Sequence, residues 1–425
     1  MDRQSALTRS RNQELAGLLR RFESRNVTYL GGDGPIFWKS ASGSRVTDAD
    51  GKAYIDLTAG FGVVNAGHSN PAVAGAIAEQ ATRLMHAMGD IYPAELKAQL
   101  LKKLASVTPG DLSKTFLASS GADAIEAALK TAMLATGKSS FVAFRNSYHG
   151  LSFGTLEVSG IKKFTQPFLS WLPQRTLFLD YPAVGQSADR ALEYARKAFL
   201  KRADLAAVIV EPIQGRGGIV VPPKGFLAGL RRLCTERRML LICDEIYTGF
   251  GRAGTMFACE FEGAIPDILC VGKALGNGFP ISAAIGTPAV MDAWPISEGE
   301  ALHTSTHLGN PMGCAAALAT IAQIVERHLP ERARLLGDEL ALRFESWRAS
   351  GLAVDVRGRG LMWGVELADG VRARRVVELA LQQGVLVLQE GPQGNVLSLT
   401  PPLVISQDEL THAVDTLEAC LKSIR

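Results

Sequence analysis

The sequence predicts an α/β protein. A large domain with a mostly parallel central sheet covered by helices is joined to a smaller α+β domain formed by the N- and C-terminal parts. Three observations predict this. Between residue 71 and about residue 257, stretches with helical spacing alternate with short apolar runs, the pattern of strands separated by covering helices. Those runs are apolar throughout instead of alternating, as strands buried on both faces are. After Gly351 strand runs crowd together, with only two helical stretches among them. The expected division is 1–60 as an N-terminal segment packing with the small domain and a partner subunit, 61–320 as the large domain, and 321–425 as the small domain.

In chain order, residues 12–22 place Leu15, Leu18, Leu19 and Phe22 at helical spacing, an amphipathic helix that must cover its own body or a partner. Residues 44–57 read as a hairpin about the turn signal Asp48-Ala49-Asp50-Gly51. Residues 58–68 are glycine-rich and irregular, suited to a backbone that approaches a ligand or to a plain loop. Helices are expected at 71–84, 93–107, 122–136, 188–200 and 225–237, and strands at 115–118, 141–144, 176–179, 207–210 and 240–243. Residues 268–272 and 281–285 continue the sheet, and helices follow at 311–327 and 330–349. The last part reads as strands at 354–357, 361–367, 385–389 and 396–399, with helices at 371–383 and 407–421.

Composition narrows the function. Forty-five Lys plus Arg against 42 Asp plus Glu leave a formal +3, too near balance to suggest a nucleic-acid or membrane-surface protein. None of the six cysteines form a CxxC pair, so they read as reduced core residues of a cytoplasmic protein without a metal framework. The polar, Arg-rich residues 1–24 lack the apolar region of a signal peptide. No apolar run is long enough to span a membrane.

The chemistry is expected where strands end in charge. One run, Leu240-Leu241-Ile242-Cys243, stops on Asp244-Glu245, and another, Ile268 to Gly272, delivers Lys273. In open α/β sheets ligands bind at that carboxyl edge. An acid and an amine meeting there predict a lysine that holds pyridoxal phosphate (PLP) as a Schiff base, with Asp244 pairing with the ring nitrogen. Ile246 would press on the ring's face. Ser120-Gly121-Ala122 opens a helix after a strand, which suits either a phosphate or an ordinary N-cap. Tyr148-His149 on a strand-end loop offers an aromatic to a planar ring. Glu211 ends another strand, and Thr306 lies in a hydroxyl-rich segment ahead of a helix.

Together these residues resemble the class III (ω-) aminotransferases within the fold-type I PLP enzymes. The motifs Ser120-Gly121-Ala122-Asp123-Ala124, Tyr148-His149-Gly150, Glu211-Pro212-Ile213-Gln214-Gly215, Asp244 to Arg252, Lys273 and Thr306 to Pro311 carry the resemblance, which covers nearly the whole chain. It implies PLP as cofactor, with backbone N–H groups of Gly121 and Ala122 and the neighbouring Ser120 at its phosphate. Tyr148 stacks on the ring with His149 beside it, Asp244 binds the ring nitrogen, Ile246 packs opposite, and Lys273 forms the Schiff base. Glu211 lies on the substrate side. Thr306 reaches the phosphate of the neighbouring subunit, which implies a homodimer with shared active sites.

The implied reaction moves an amino group from an amine or amino acid to a keto acid or aldehyde by a ping-pong route. An aminomutase, racemase or epimerase, decarboxylase or lyase could use the same machinery, and a non-catalytic PLP-fold protein is the remote alternative. Five positions depart from the family. Tyr247 replaces a usual Gln at the ring's phenolic oxygen, and Ala122 replaces a frequent hydroxyl residue. Leu151 and Ser398 stand where members that bind carboxylates carry Arg, which argues against γ-aminobutyrate, ornithine and acetylornithine as substrates. Arg216 stands where relatives often carry an acid; it could bind an anionic substrate or sit at the surface, and the usual exposure of arginine favours the surface.

Overall fold

The computed structural model describes residues 10–30, 34–183 and 185–424. The expectations for residues 1–9 of the N-terminal stretch and for residue 425 lie outside them. The chain begins with a helix, Arg11–Phe22, capped by Ser10 and Gln13 in a reciprocal capping box. Strands β1 (Trp38–Ser42), β2 (Arg45–Asp48) and β3 (Ala53–Asp56) then form an antiparallel meander. The hairpin β2–β3 matches the expectation. β1 was not legible, because this edge strand is exposed along nearly its whole length and carries no apolar alternation.

The central sheet has seven strands. They are β4 (Lys114–Ala118), β5 (Ser140–Phe144), β6 (Leu177–Leu179), β7 (Leu205–Val210), β8 (Leu240–Asp244), β9 (Ile268–Val271) and β10 (Ser282–Gly286). Their order is β4-β10-β9-β8-β7-β5-β6. Every pairing from β9 to β6 is parallel, and β10 runs antiparallel to both of its neighbours. All residues of β5, β7 and β9 are buried. Burying each such Val, Leu or Ile contributes roughly 1.5–3 kcal/mol, so these strands anchor the core. Helices Gly121–Thr136, Ala188–Leu200 and Phe226–Arg237 connect them, within one or two residues of the expected spans.

Helices Pro311–Glu326 and Leu329–Ala349 lead to the remaining strands, β11 (Asp355–Arg359), β12 (Met362–Glu366), β13 (Val385–Leu386), β14 (Leu388–Glu390) and β15 (Val396–Leu399). β11, β12, β15 and β14 form an antiparallel sheet in that order. The single strand expected at 385–389 is two. β13 pairs in parallel with β3, so Val385 faces Ile55, while β14 turns to pair with β15. The N-terminal meander and the C-terminal part therefore share a sheet.

A buried arginine ties these parts together. Arg252, in the loop after β8, donates to the carbonyls of Leu361 (2.9 Å) and Pro401 (2.6 Å) and to Asn65 Oδ1 (2.5 Å). Burial pulls its pKa down to about 10, which still leaves it charged at neutral pH.

Candidate active site

Four adjacent parallel strands lay out the site. At the carboxyl ends of β9, β8, β7 and β5 come Lys273, Asp244, Glu211 and the pair Tyr148–His149. A cavity of about 420 Å³ opens at this edge, within the range of small-molecule sites. Gly121, Ala122, Tyr148, His149, Glu211, Asp244, Ile246, Tyr247 and Lys273 all line it. Of the expected site residues, Ser120 and Thr306 do not.

Asp244 is 5% exposed. Its Oδ2 lies 2.8 Å from Nδ1 of the buried His149, and its Oδ1 accepts from the Ile246 N–H at 3.1 Å. His149 Nε2 is buried with no partner among the described residues. The adjacent Glu245 has a different task. It turns into the protein and accepts from the backbone N–H groups of Ala258 (3.0 Å) and Cys259 (2.7 Å). Glu211 accepts from the N–H of Tyr148 (2.9 Å) and of Gly215 (3.0 Å), so it fixes two loops at once. Burial, reinforced by the Asp244 charge, pushes its pKa up to about 7 against the pull of His149 and those donors.

Lys273 begins a short 3₁₀ turn, Lys273–Leu275, with φ +39°. A side-chain residue held in that region is strained, a common feature of functional positions. Its Nζ lies 4.7 Å from the centroid of the Tyr247 ring. Burial lowers the lysine's pKa, while Asp244 and Glu211 oppose the shift. The Tyr247 phenol lies 3.2 Å from Thr400 Oγ1. Burial raises its pKa, so the phenol keeps its proton and can donate.

At Gly121 a Cβ would stand 2.9 Å from Ile246 Cδ1, so only glycine lets the helix start come this close. Ser120 is exposed and occupied with capping: its Oγ accepts from the Asp123 N–H at 3.2 Å. Thr306 is exposed on a segment packed against residues 85–90, where Thr304 Oγ1 donates to Asp90 Oδ2 (2.7 Å) and Asn310 Nδ2 donates to the Met85 carbonyl (3.1 Å).

Sequence reasoning missed Glu390, and for Arg216 it favoured the surface over anion binding. Arg216 lines the cavity, although its side chain is 40% exposed. Its Nε lies 3.6 Å from Oε2 of Glu390, which is only 9% exposed and also lines the cavity. Arg216 is both partly exposed and part of the cavity wall because the loop after β7 folds onto the end of β14. There the Gly391 N–H donates to the Arg216 carbonyl at 3.1 Å. The charge reversal at position 216 was the available signal, and Glu390 had none of its own. Leu151 lines the cavity, whereas Ser398 is buried in β15 outside its lining.

Residues 30–421 match the family Aminotransferase class-III. The chain belongs to the class III aminotransferases. An acetylornithine aminotransferase of Methanothermobacter thermautotrophicus is 40% identical over 407 residues, covering 96% of this chain and 98% of that protein. A putrescine aminotransferase of Pectobacterium atrosepticum is 35% identical over 429 residues, covering 97% and 89%. An amine transaminase from an uncultivated Pseudomonas species, solved in its PLP-bound form, has a TM-score of 0.87 and 29% identity over 95% of this chain and 98% of its own.

This class III aminotransferase is a PLP enzyme of the α/β class. The residues present fit the cofactor. They offer a buried carboxylate facing the cavity, an imidazole Nε2 beside it with no partner among the described residues, a bare glycine at a helix start and a half-buried lysine on a neighbouring strand end. No helix among the described residues is long and apolar enough to cross a membrane.

Proposed function

We propose that this aminotransferase acts in two half-reactions of ping-pong type, with Lys273 and Asp244 as its central catalytic pair and Glu211 on the substrate side. The supporting observation is that β9, β8 and β7 deliver these three side chains to one buried cavity. When bound, PLP supplies an electron sink for the carbon that exchanges its amino group. Asp244 would hold the ring nitrogen protonated, since a buried carboxylate favours the charged form of its partner. His149, fixed through Nδ1, positions Asp244. The N–H groups of Gly121 and Ala122, with Ser120 beside them, would hold the phosphate at the helix start. Tyr148 and Ile246 would face the two sides of the ring, and Tyr247 would donate to its phenolic oxygen.

Lys273 Nζ would hold the cofactor and, when free, would move the proton as general acid and base. Its lowered pKa favours the neutral amine that this step requires.

The enzyme works as a homodimer with shared sites, Thr306 reaching the partner's phosphate. Support comes from its exposed position on a segment that bonds to residues 85–90, a stretch where Met85 (61% exposed), Ile91 (61%) and Tyr92 (73%) offer apolar side chains suited to a second copy. Six free, buried cysteines support a reducing, cytoplasmic setting. The shared sheet of β3 and β13 supports residues 1–60 and 321–425 packing as one small domain beside a large domain of 61–320.

The test uses the purified holoprotein. Borohydride should trap a covalent adduct in the wild type and none in Lys273→Ala. A single amino donor supplied without acceptor should discharge the cofactor's visible absorbance. Racemisation or elimination of that donor with the absorbance intact would overturn the amino-transfer reading.

A further inference from the structure

We propose that Arg216 is the carboxylate-binding residue of this active site and that Glu390 is the counter-ion it leaves when a substrate carboxylate arrives. The proposal rests on the reading of the cavity as the amino-transfer site, and goes beyond it to say how a substrate is held.

A carboxylate brought against the buried Asp244, Glu211 and Glu390 of this cavity needs a cationic partner, because an unpaired charge removed from water is costly. Lys273 and Arg216 are the lysine and arginine in the lining, and Lys273 is committed to covalent chemistry. Leu151 and Ser398 supply no charge. Arg216 has the planar fork of donors that matches a carboxylate.

Its position is set from both ends. The Arg216 carbonyl accepts from Gly391, the residue after Glu390. The guanidinium lies over the rings of Tyr148 (5.1 Å to the centroid) and Phe164 (5.8 Å). Stacking steadies its plane and leaves its N–H edges free. Among the described residues its one ionic partner is Glu390, at 3.6 Å. That distance is an ion pair but too long for a good hydrogen bond, so most of the fork is unspent.

The pair also explains why a carboxylate is buried in the wall. Between half-reactions, or with a substrate that has no carboxylate, Glu390 balances Arg216. When a carboxylate displaces it, Glu390 loses its partner. Burial already pushes its pKa upward, so it can take up a proton instead of remaining an isolated charge.

The experiment compares the holoenzyme with Arg216→Ala, Arg216→Lys and Glu390→Gln. For whichever of pyruvate and 2-oxoglutarate the wild type uses better, kcat/KM is divided by that for propanal, which has no carboxylate. This ratio should fall about 10- to 100-fold in Arg216→Ala, the loss expected for a hydrogen-bonded charge pair. Arg216→Lys should recover part of it, and Glu390→Gln should lower KM for the keto acid. Succinate, which cannot react, should bind the holoenzyme more weakly by a similar factor in Arg216→Ala, measured by calorimetry. A ratio that stays constant, or succinate binding unchanged by Arg216→Ala, overturns the clamp. A wild type that transfers no amino group while succinate binding still depends on Arg216 overturns the reaction reading and leaves the clamp standing.

Discussion

Glu211 and Asp244 end neighbouring strands and face one cavity with different partners. Asp244 has an imidazole at 2.8 Å, whereas Glu211 has two backbone N–H groups. The consequence is measurable in the cofactor-free protein. Glu211's folded-state pKa, about 7, lies above its ordinary 4.5. Its contribution to stability is therefore fully present below about 4.5 and lost as pH rises through about 7. Between pH 5 and 8 the melting temperature of the wild type should fall relative to that of Glu211→Gln. Parallel curves would show that Glu211 titrates in the ordinary carboxylate range. The strand-end residues were legible because a charge closing an apolar run has few places to go but the sheet edge. The meeting of Arg216 and Glu390 was not, because neither closes a buried strand and it brings the loop after β7 to the end of β14 from distant parts of the chain. A missing arginine at positions 151 and 398 says nothing about one that reaches the same cavity from another strand.

At the scale of elements, the loop after β8 is wedged between two others. A Cβ on Gly62 or on Gly215 would run into the Tyr247 ring, so the bare backbones of the 59–62 turn and the loop after β7 grip the aromatic from two sides. Gly62 also has φ +71°, which makes any substitution there strained on its own account. Gly215 has no such complication, so Gly215→Ala isolates the clash. It should cost about 1–3 kcal/mol in urea unfolding, as overpacking does, and under about 0.5 kcal/mol in a Tyr247→Ala background. Equal costs in both backgrounds would mean that the ring is not what Gly215 accommodates. This wedge gives a reason for the glycines in the two loops but was invisible in sequence, where Tyr247 is only an unusual residue in a familiar motif. The buried strands and the long helices were legible from periodicity. β1 was not, and neither was the break between β13 and β14, since only pairing with two different sheets divides that run.

At the scale of the whole molecule, one chain leaves part of its expected site unassembled. The Gly121 helix start, Asp244 and Lys273 meet within it, yet Thr306 lies outside the lining of its own cavity, on a segment bonded to residues 85–90 near the exposed Ile91 and Tyr92 in the chain. Sequence alone identified the threonine through a motif, while the apolar face around it becomes visible only when residues 85–92 and 304–310 are seen packed together. If Thr306 serves the partner's phosphate, hybrid dimers distinguish the two geometries. Pair a chain carrying Thr306→Ala with one carrying Lys273→Ala. In the shared-site arrangement, the Lys273 of the first chain and the Thr306 of the second make one intact site per dimer. That hybrid should show about half the wild-type kcat, by the count of intact sites, with wild-type PLP affinity. The Thr306→Ala homodimer should need roughly 10- to 100-fold more PLP for half-maximal activity, the loss expected for one hydrogen bond to a charged group. If each threonine served its own chain, no site in the hybrid would be intact, and its active sites would keep the weakened PLP affinity of the Thr306→Ala homodimer.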